Sequence, residues 1–364
     1  GHRFGTAHPA AVVIPAALAE VEKQNATLGK LLKAIVIGYD VMLRLSKAIN
    51  PSHLKRGFHS TSTTGTIGSA AAVASIMKYD EPGMAHALSI AGLLSAGLQE
   101  MLHGNPSIKS FQVGRSCQSG VLAAQFVEYG GKGPASLFEG QHGWIKAMTD
   151  SFNENDLMDE LGKRWEILNT YTKLYPTCRH CHHAIDLAID AYNNGIRIHD
   201  ISKIKIKTYS VGISEVGLIK NPDTIQDAMF SIAYAVLIAF KYGYVTYENM
   251  ERHLDDEYLQ RLSSKIEIES DEVMDKEYPQ ERGSILEIAT MSGKTHILLN
   301  KLPRGEPETS LNRKEYLLKF TRITENYMAK KQVEELFEII FKMDLNQPIT
   351  SILSCFEKQN GYQT

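Results

Sequence analysis

The stretch that decides the fold spans residues 56–72 and reads RGFHSTSTTGTIGSAAA. His59 is followed by a run of Ser, Thr and Gly residues, and the run leads into alanines, which favour a helix. Ser and Thr at such a boundary can cap the first N–H groups of a helix. The positive end of the helix also favours a bound anion, such as a carboxylate. Taken alone, the stretch favours the simpler interpretation, a capped helix start whose small residues allow close packing.

The composition is that of an ordinary globular protein and argues against several classes of partner. The chain has 364 residues, 43% hydrophobic and 22% charged, which is enough for more than one domain. A net charge of −3, without a basic stripe, argues against nucleic acid or an acidic membrane as the main partner. No apolar run reaches the roughly 18 residues that span a membrane. The four cysteines are too scattered for a disulfide scaffold, so we expect a cytoplasmic protein.

The first part of the chain shows one helical pattern after another, separated by turns that contain Pro and Gly. The predicted helices span residues 15–22, 31–45, 70–77, 84–97 and 119–129. Their Ala, Gly and Ser content predicts that the helices pack closely on each other. We therefore predict an all-helical domain over residues 1–163.

The pattern changes after about residue 164, where apolar and polar residues alternate as in half-buried strands. The predicted strands span residues 201–209, 265–269, 284–290 and 295–299, and the last two form a hairpin. Predicted helices lie between the strands at residues 184–193, 224–241 and 247–252. We predict an α+β domain over residues 164–311 and C-terminal helices, at 314–321 and 332–341, over residues 312–364. The fold class is therefore mainly α, a large helical domain with a smaller α+β domain.

Several polar residues outside the opening stretch could carry chemistry. His8 precedes Pro9 at the start of a helix, where a surface or capping histidine is the simpler interpretation. Lys109 and Arg115 are predicted on a loop between two helices, where they could hold carboxylates, Arg115 through a bidentate fork. Solvated loop charge is the alternative, because most Lys and Arg side chains are exposed. Tyr234 lies in an apolar helical pattern and by itself fits a core aromatic.

Cysteines and histidines are concentrated in residues 173–186, which read KLYPTCRHCHHAID. Cys178 and Cys181 provide only half of a tetrahedral zinc site, and the other cysteines lack this spacing. We therefore predict no metal here. The favoured interpretation is a loop leading into a helix near His182, with Lys173, Cys178 and His182 facing a cleft.

Taken together, these segments resemble the MmgE/PrpD family, which includes 2-methylcitrate dehydratase, cis-aconitate decarboxylase and iminodisuccinate epimerase. The resemblance extends over essentially the whole chain, because the segments follow the family in order and in approximate spacing. The matching segments are Ala7-His8-Pro9, Gly57-Phe58-His59 with Thr64-Gly65-Thr66, Ile108-Lys109 with Val113-Gly114-Arg115, residues 173–182, and residues 230–234.

The resemblance implies a homodimeric enzyme without metal or cofactor, in which a helical domain and an α+β lid both contribute to the active site. By position, His8, His59, Lys109, Lys173 and Tyr234 match site residues of the family. Cys178 falls where some members carry His. The family also has an Asp-Asp pair just before the position that matches Gly1. We therefore expect the chain to begin inside a longer sequence and its activity to depend on that pair.

The residue types suit the family's chemistry, in which a bond breaks beside a carbon flanked by carboxylates. Cations hold and neutralise carboxylates, and histidines move protons when their pKa lies near the working pH. The predicted catalytic residues are His59, His8, Tyr234 and Lys173. The predicted substrate-binding residues are Lys109, Arg115, Thr64, Cys178, Arg179 and His182. His59 is expected to transfer a proton, and His8 either shares that role or binds substrate.

The predicted function is that of a lyase that eliminates water from 2-methylcitrate, an acid of propionate metabolism, or from a related tricarboxylic acid. The alternatives on the same scaffold are decarboxylation of cis-aconitate and epimerisation of iminodisuccinate. A catalytically silent dimer subunit and a zinc-binding module are alternatives of other classes. The expected partners are a small polycarboxylate and a second copy of the chain.

Overall fold

The structure is a computed structural model that describes residues 1–103 and 107–354, with only the backbone described at His103. The chain divides into two compact units, one formed by Gly1–Thr170 with the segment from Met328 onward, the other by Tyr171–Tyr327. The described residues are 58% helical and contain a small mixed sheet of four strands, which confirms the mainly α class.

The first unit is helical throughout its described part. Its helices are α1 (Ala10–Lys23), α2 (Leu28–Ile49), α3 (Ser52–Lys55), α4 (Ser60–Ile76), α5 (Glu81–Leu94), α6 (Ser107–Glu128), α7 (Trp144–Met148) and α8 (Glu154–Met158). Short 3₁₀ helices span Gln99–His103 and Glu166–Asn169. Helix α4 lies at the centre of the unit, is buried along almost its whole length, and packs against α1, α2, α5 and α6.

Small residues allow the neighbouring helices to come unusually close to α4. A Cβ atom built on Gly68 of α4 would lie 2.7 Å from the carbonyl oxygen of Gly38 in α2, and one built on Gly38 would lie 2.7 Å from that of Gly68. Where α6 crosses α4, a Cβ on Gly120 of α6 would lie 2.6 Å from the carbonyl oxygen of Thr66. Real Cβ atoms do not approach backbone oxygens so closely, so glycine is required at these crossings.

The helices predicted in the first unit all begin earlier than the sequence predicts, and the difference is largest for α4 and α6. Helix α4 begins at Ser60 and includes the hydroxyl-rich run, whereas the prediction began at residue 70. Helix α6 begins at Ser107 rather than at residue 119, so Lys109 and Arg115 lie in a helix and not on a loop. Ser, Thr and Gly are weak helix formers, and packing of α4 and α6 on each other overrides that local preference.

The second unit combines the sheet with a further set of helices. Its helices are α9 (Arg179–Asn193), α10 (Ser210–Val216), α11 (Ile225–Met229), α12 (Ile232–Tyr242), α13 (Tyr247–Glu251), α14 (Glu257–Ser264), α15 (Glu272–Glu277) and α16 (Arg313–Thr324). Short 3₁₀ helices span Ile198–Asp200 and Pro307–Thr309. The strands are β1 (Ile201–Thr208), β2 (Ile266–Ser270), β3 (Ser284–Thr290) and β4 (Thr295–Asn300). The predicted strands and the predicted hairpin are present.

The sheet has the order β2-β1-β3-β4, in which β1 pairs parallel with β2 and antiparallel with β3. Alternate residues of β1 point into the core with α9 and α12, as with the buried Ile204 and Ile206. Lysines of the other face pair with glutamates of the flanking strands; Lys207, for example, lies 2.6 Å from Glu287. This alternation is why the sequence pattern identified the strands.

Two further boundaries differ from the prediction. The predicted helix over residues 224–241 is divided into α11 and α12, because Ser231 begins a new helix and its hydroxyl accepts the N–H of Tyr234. Helix α16 belongs to the second unit, and the chain returns to the first unit at Met328, where α17 (Lys330–Lys342) follows. The prediction placed that boundary at residue 312. In the described part of the chain, no helix is both long and apolar enough to cross a bilayer.

Replacing Gly68 by Ala is expected to destabilise the first unit. The added methyl group would lie 2.6 Å from the Cβ of Met42, as well as against the backbone of Gly38, so α2 and α4 would have to separate. Overpacking of this kind costs about 1–3 kcal/mol. The measurement is the thermal unfolding midpoint.

Gly114→Ala is the matched control, because a Cβ there has no atom within 4 Å and the residue is exposed in helix α6. Alanine should stabilise that helix by about 0.5–1 kcal/mol. Equal midpoints for the two variants would contradict the close crossing of α2 and α4.

Candidate active site

His59 lies at the N-terminus of α4 and is held through its backbone. Its N–H donates to the carbonyl of Gly97 at 3.0 Å, and its own carbonyl accepts the N–H groups of Ser62 and Thr63 at 2.9 and 3.1 Å. The residue is only 5% exposed. The first turn of α4 therefore fixes where the imidazole lies.

The imidazole of His59 is neutral at ordinary pH. Its Nδ1 lies 3.0 Å from Nε2 of Gln112 and 2.9 Å from the hydroxyl oxygen of Ser62. Burial lowers the pKa of His59 to about 4, and the charge of Lys109 acts in the same direction. The sequence predicts a histidine with a pKa near the working pH, but the pKa of His59 is lower because the ring is buried beside a cation.

His8 lies at the same end of α4 as His59. Its backbone N–H donates to the hydroxyl of Thr61 at 3.1 Å. The preceding residues form a closed loop in which His2 accepts the N–H of Gly5 at 3.0 Å and lies 3.2 Å from the carboxylate of Glu166. The backbone contact with Thr61 thus places His8 at the end of α4 where His59 lies, although the two histidines are far apart in the sequence.

The predicted cations of the first unit occupy different positions on α6. Lys109 lies one turn before Gln112, and its charge reaches His59. Arg115 is exposed, and its guanidinium donates to the side-chain carbonyl of Gln118 at 3.0 Å. Lys109 therefore belongs to the surroundings of His59, whereas Arg115 lies on the outer surface of the helix.

The hydroxyl-rich run is part of the helix and does not present its hydroxyls as a carboxylate cradle. Thr64 is fully buried, and its hydroxyl donates to the carbonyl of Ser60 at 2.7 Å. Thr66 donates in the same way to Ser62 at 2.9 Å. The prediction that Thr64 binds substrate therefore differs from the structure, because its hydroxyl is bonded within the helix.

Two residues near His59, the buried His53 and the half-buried Gln112, were not predicted from the sequence. His53 stacks on Phe58 with ring centroids 4.9 Å apart, and its nitrogens lie 2.8 Å from the carbonyl of Met148 and 2.7 Å from the hydroxyl of Thr63. Gln112 contacts His59 directly. Once α6 is known to begin at Ser107, the i, i+3 spacing of Lys109 and Gln112 places both on one face.

Lys173 lines a cavity within the second unit, which has a volume of about 860 Å³. Its ammonium group donates to the carbonyl of Thr177 at 3.2 Å. Further cations line this cavity, as do several tyrosines and aliphatic side chains. The cations are Arg304, Lys319 and Arg322, and the acidic residues are Glu248 and Glu315. Burial lowers the pKa of Lys319, because its charge is partly removed from water.

Arg179 has a structural role that differs from the predicted contact with substrate. It is 3% exposed, and its guanidinium donates to Glu306 at 2.8 Å and to the carbonyl of Arg304 at 3.0 Å. It also lies 3.0 Å from Nδ1 of His182, which is itself fully buried. The donors of Arg179 are thus engaged by the protein, and His182 faces Arg179 rather than an open cleft.

Cys178 is the N-cap of α9, and its N–H donates to the carbonyl of Met229.

Tyr234 is a core residue of α12. It is 2% exposed, and its hydroxyl donates to the carbonyl of Met250 at 2.7 Å. Burial raises the pKa of this hydroxyl well above its usual value. The predicted role as a proton donor therefore differs from the structure, which agrees with the core aromatic considered as its alternative.

The cysteine- and histidine-rich segment does not assemble into a metal centre. Within the described ranges, no group of three or more His, Cys, Asp or Glu side chains is arranged to hold an ion. His180 lies 2.6 Å from the hydroxyl of Tyr209, whereas neither ring nitrogen of the buried His183 has a hydrogen-bond partner in the described part.

This chain is a two-domain, mainly α protein. It consists of a helical unit and an α+β unit, and polar groups gather around a buried helix of the first. The N-terminal domain model of the MmgE/PrpD family matches residues 1–155, and the C-terminal domain model matches residues 175–345. The chain belongs to the MmgE/PrpD family, as its motifs predicted.

Among curated proteins, the chain is similar to the cis-aconitate decarboxylase-like protein oryM of Aspergillus oryzae, with 24% identity over 288 residues. The alignment covers 72% of this chain and 60% of that relative, so the chain spans less than two thirds of the relative's length.

Glu306→Gln is expected to destabilise the second unit, because it leaves the buried charge of Arg179 without its counterion. Breaking a buried ion pair on one side costs about 3–5 kcal/mol. The free energy of unfolding in urea measures this. Lys331→Met, which removes an exposed pair with Glu335, is the control and should change little. A Glu306→Gln variant with the wild-type free energy of unfolding would show that the carbonyl contacts alone stabilise the buried charge of Arg179.

Stability should fall as the pH drops from about 6.5 towards 4. The folded chain holds His59 and His183 neutral, with pKa values lowered to about 4 and about 3, whereas the unfolded chain protonates histidine near 6.5. The unfolded state therefore binds more protons in this range, and acid favours it. The thermal midpoint, followed from pH 7 to 4.5, tests this.

The thermal midpoint should change less with pH in His59→Gln than in the wild type, because the variant lacks one of the buried neutral histidines. His199→Gln is the control, because His199 is 76% exposed and should keep the wild-type slope. A midpoint that is independent of pH in the wild type would contradict buried neutral histidines.

Proposed function

We propose that this chain is a lyase acting on a small di- or tricarboxylic acid, by elimination of water beside a carboxylate as in 2-methylcitrate dehydratase. The observation that carries the proposal is the group at the start of α4. There, a neutral His59 and the backbone of His8 lie at one helix end, with the charge of Lys109 close by. Membership of the MmgE/PrpD family supports the same class of substrate.

The proposed reaction needs a base, an acid and cations. A base removes the proton from the carbon next to a carboxylate, and the electron pair forms a carbon–carbon double bond as the carbon–oxygen bond breaks. The hydroxyl leaves with a proton from the acid, as water. Lys109 would bind a carboxylate and stabilise the charge that develops on it. His59 and His8 are the proposed acid–base pair.

Cations around the cavity of the second unit add to this proposal. Lys319 and Arg322 make no ion pair within the described part of residues 171–327, and burial lowers the pKa of both. A bound carboxylate would offset the cost of burying these charges. We propose that this cavity, which also includes Lys173, favours anionic ligands of this kind.

The second candidate is decarboxylation, which the name of the curated relative favours. In that reaction the bond to a carboxylate carbon breaks, carbon dioxide leaves, and the electron pair stays on the remaining carbon until an acid protonates it. Epimerisation would need only removal of the proton and its return to the opposite face. We also propose that the enzyme is a homodimer that works in the cytoplasm without a cofactor. The assay below distinguishes an active enzyme from a catalytically silent member of the family.

The test is an NMR assay of the purified protein with 2-methylcitrate, citrate, cis-aconitate and iminodisuccinate, in water and in deuterium oxide. Elimination should produce an unsaturated acid, and reversible proton removal should introduce deuterium. His59→Gln should reduce the rate by about 10²–10⁴-fold, the usual contribution of a positioned acid or base. His199→Gln replaces an exposed histidine and should keep the full rate.

Turnover that His59→Gln leaves unchanged would remove His59 from the mechanism. Carbon dioxide as the product would select the second candidate. A folded protein that changes none of the acids and incorporates no deuterium would overturn the proposed reaction on these substrates.

A further inference from the structure

The side chain of Gln112 connects the imidazole of His59 to the backbone of a neighbouring loop. Its Nε2 lies 3.0 Å from Nδ1 of His59, and its Oε1 accepts the N–H of Leu98 at 3.2 Å. The same Nε2 lies 3.4 Å from the carbonyl oxygen of Leu98. Leu98 itself is held beside His59, because Phe58 and Leu98 are bridged and His59 donates to Gly97.

The two contacts with Leu98 determine which way the amide of Gln112 faces. If the amide were turned by half a rotation, its N–H₂ group would meet the N–H of Leu98 and its oxygen would meet the carbonyl of Leu98. Both contacts would then be repulsive. Gln112 therefore directs an N–H donor at Nδ1 of His59.

A ring nitrogen that accepts a hydrogen bond carries no proton, so the single proton of neutral His59 lies on Nε2. The hydroxyl of Ser62, 2.9 Å from Nδ1, can share the single lone pair of this nitrogen as a second donor. Burial opposes a second proton on the ring, and so does the charge of Lys109, which lies on the same helix as Gln112. Geometry and charge thus both favour the neutral ring of His59 with its proton on Nε2.

We propose that Gln112 is a positioning residue that fixes the Nε2–H tautomer of His59, so that His59 meets the substrate as a hydrogen-bond donor and not as the base. Within the described residues, Nε2 of His59 has no hydrogen-bond partner, so it is the ring atom left for a ligand. A neutral imidazole N–H can stabilise negative charge that develops on a carboxylate oxygen.

The same geometry opposes proton removal by His59. To accept a proton at Nε2, the ring would first have to carry its own proton on Nδ1, against the N–H of Gln112. The amide would then have to turn and lose both contacts with Leu98. Proton removal is therefore left to another group, and His8 is a further histidine at this end of α4. This catalytic meaning rests on the proposed function, whereas the tautomer does not.

Nitrogen-15 NMR of histidine-labelled protein measures the tautomer directly, and His59→Gln identifies the signals of His59. At pH 7 the wild type should show protonated Nε2 and unprotonated Nδ1. Gln112→Glu has nearly the same shape but places a carboxylate oxygen against Nδ1. Its ring should gain a proton on Nδ1, and its protonation midpoint should rise by about 1–3 pH units.

Gln118→Glu adds the same charge to an exposed position of α6 and should leave the signals of His59 unchanged. A wild-type ring protonated on Nδ1 would overturn the proposal. So would Gln112→Glu with the wild-type tautomer and midpoint, or Gln118→Glu with an equal shift. The wild-type measurement needs neither a variant nor turnover. A protein with the expected tautomer that acts on none of the acids would leave the positioning role in place and overturn the proposed function.

Discussion

The close approach of helices α2 and α6 to α4 is the constraint on which the first unit depends. At Gly38 and Gly68 the backbones of α2 and α4 come so near that a methyl group on either residue would contact the other's carbonyl oxygen. Such an approach excludes large side chains from these crossings, and most of the residues that α4 buries are small. The hydroxyls of Thr64 and Thr66 find partners within α4 itself, because each donates to a carbonyl one turn earlier.

This packing also determines the environment of His59. Because α6 lies directly on α4, residues of the first turns of α6 reach the first turn of α4. Gly97 allows the intervening loop to pass beside Ser62, since its φ of +142° suits glycine and a Cβ there would lie 2.5 Å from the Cβ of Ser62. The loop therefore presents Leu98 to Gln112, and Gln112 in turn reaches His59. One packing arrangement thus produces both the burial that lowers the pKa of His59 and the contact that selects its tautomer.

Sequence reasoning succeeded where the signal is periodic and local. The alternation in β1 reflects one face buried against α9 and α12 and one face in ion pairs, so it was visible in the chain itself. The same reasoning placed the starts of α4 and α6 too late, because Ser, Thr and Gly resemble a loop until their packing is known. It also treated Arg179 as available for substrate, since its counterion Glu306 lies 127 residues away along the chain. The family motifs identified which residues to examine, but only the contacts show what each of them can do.

Those contacts distinguish the cations and histidines that are already paired or hydrogen-bonded within the protein from those that are left for a ligand. Arg179 is neutralised by Glu306 and saturated by carbonyls, so it stabilises the second unit. Lys319 and Arg322 line a cavity, are partly removed from water and make no ion pair within the described part of their unit, so an anion would relieve the cost of burying them. His59 is intermediate between these two groups. Its Nδ1 is hydrogen-bonded within the protein, and its Nε2 is left for a ligand. A group held in this way has a defined protonation state before any ligand arrives, and a preorganised donor does not have to be reoriented during the reaction.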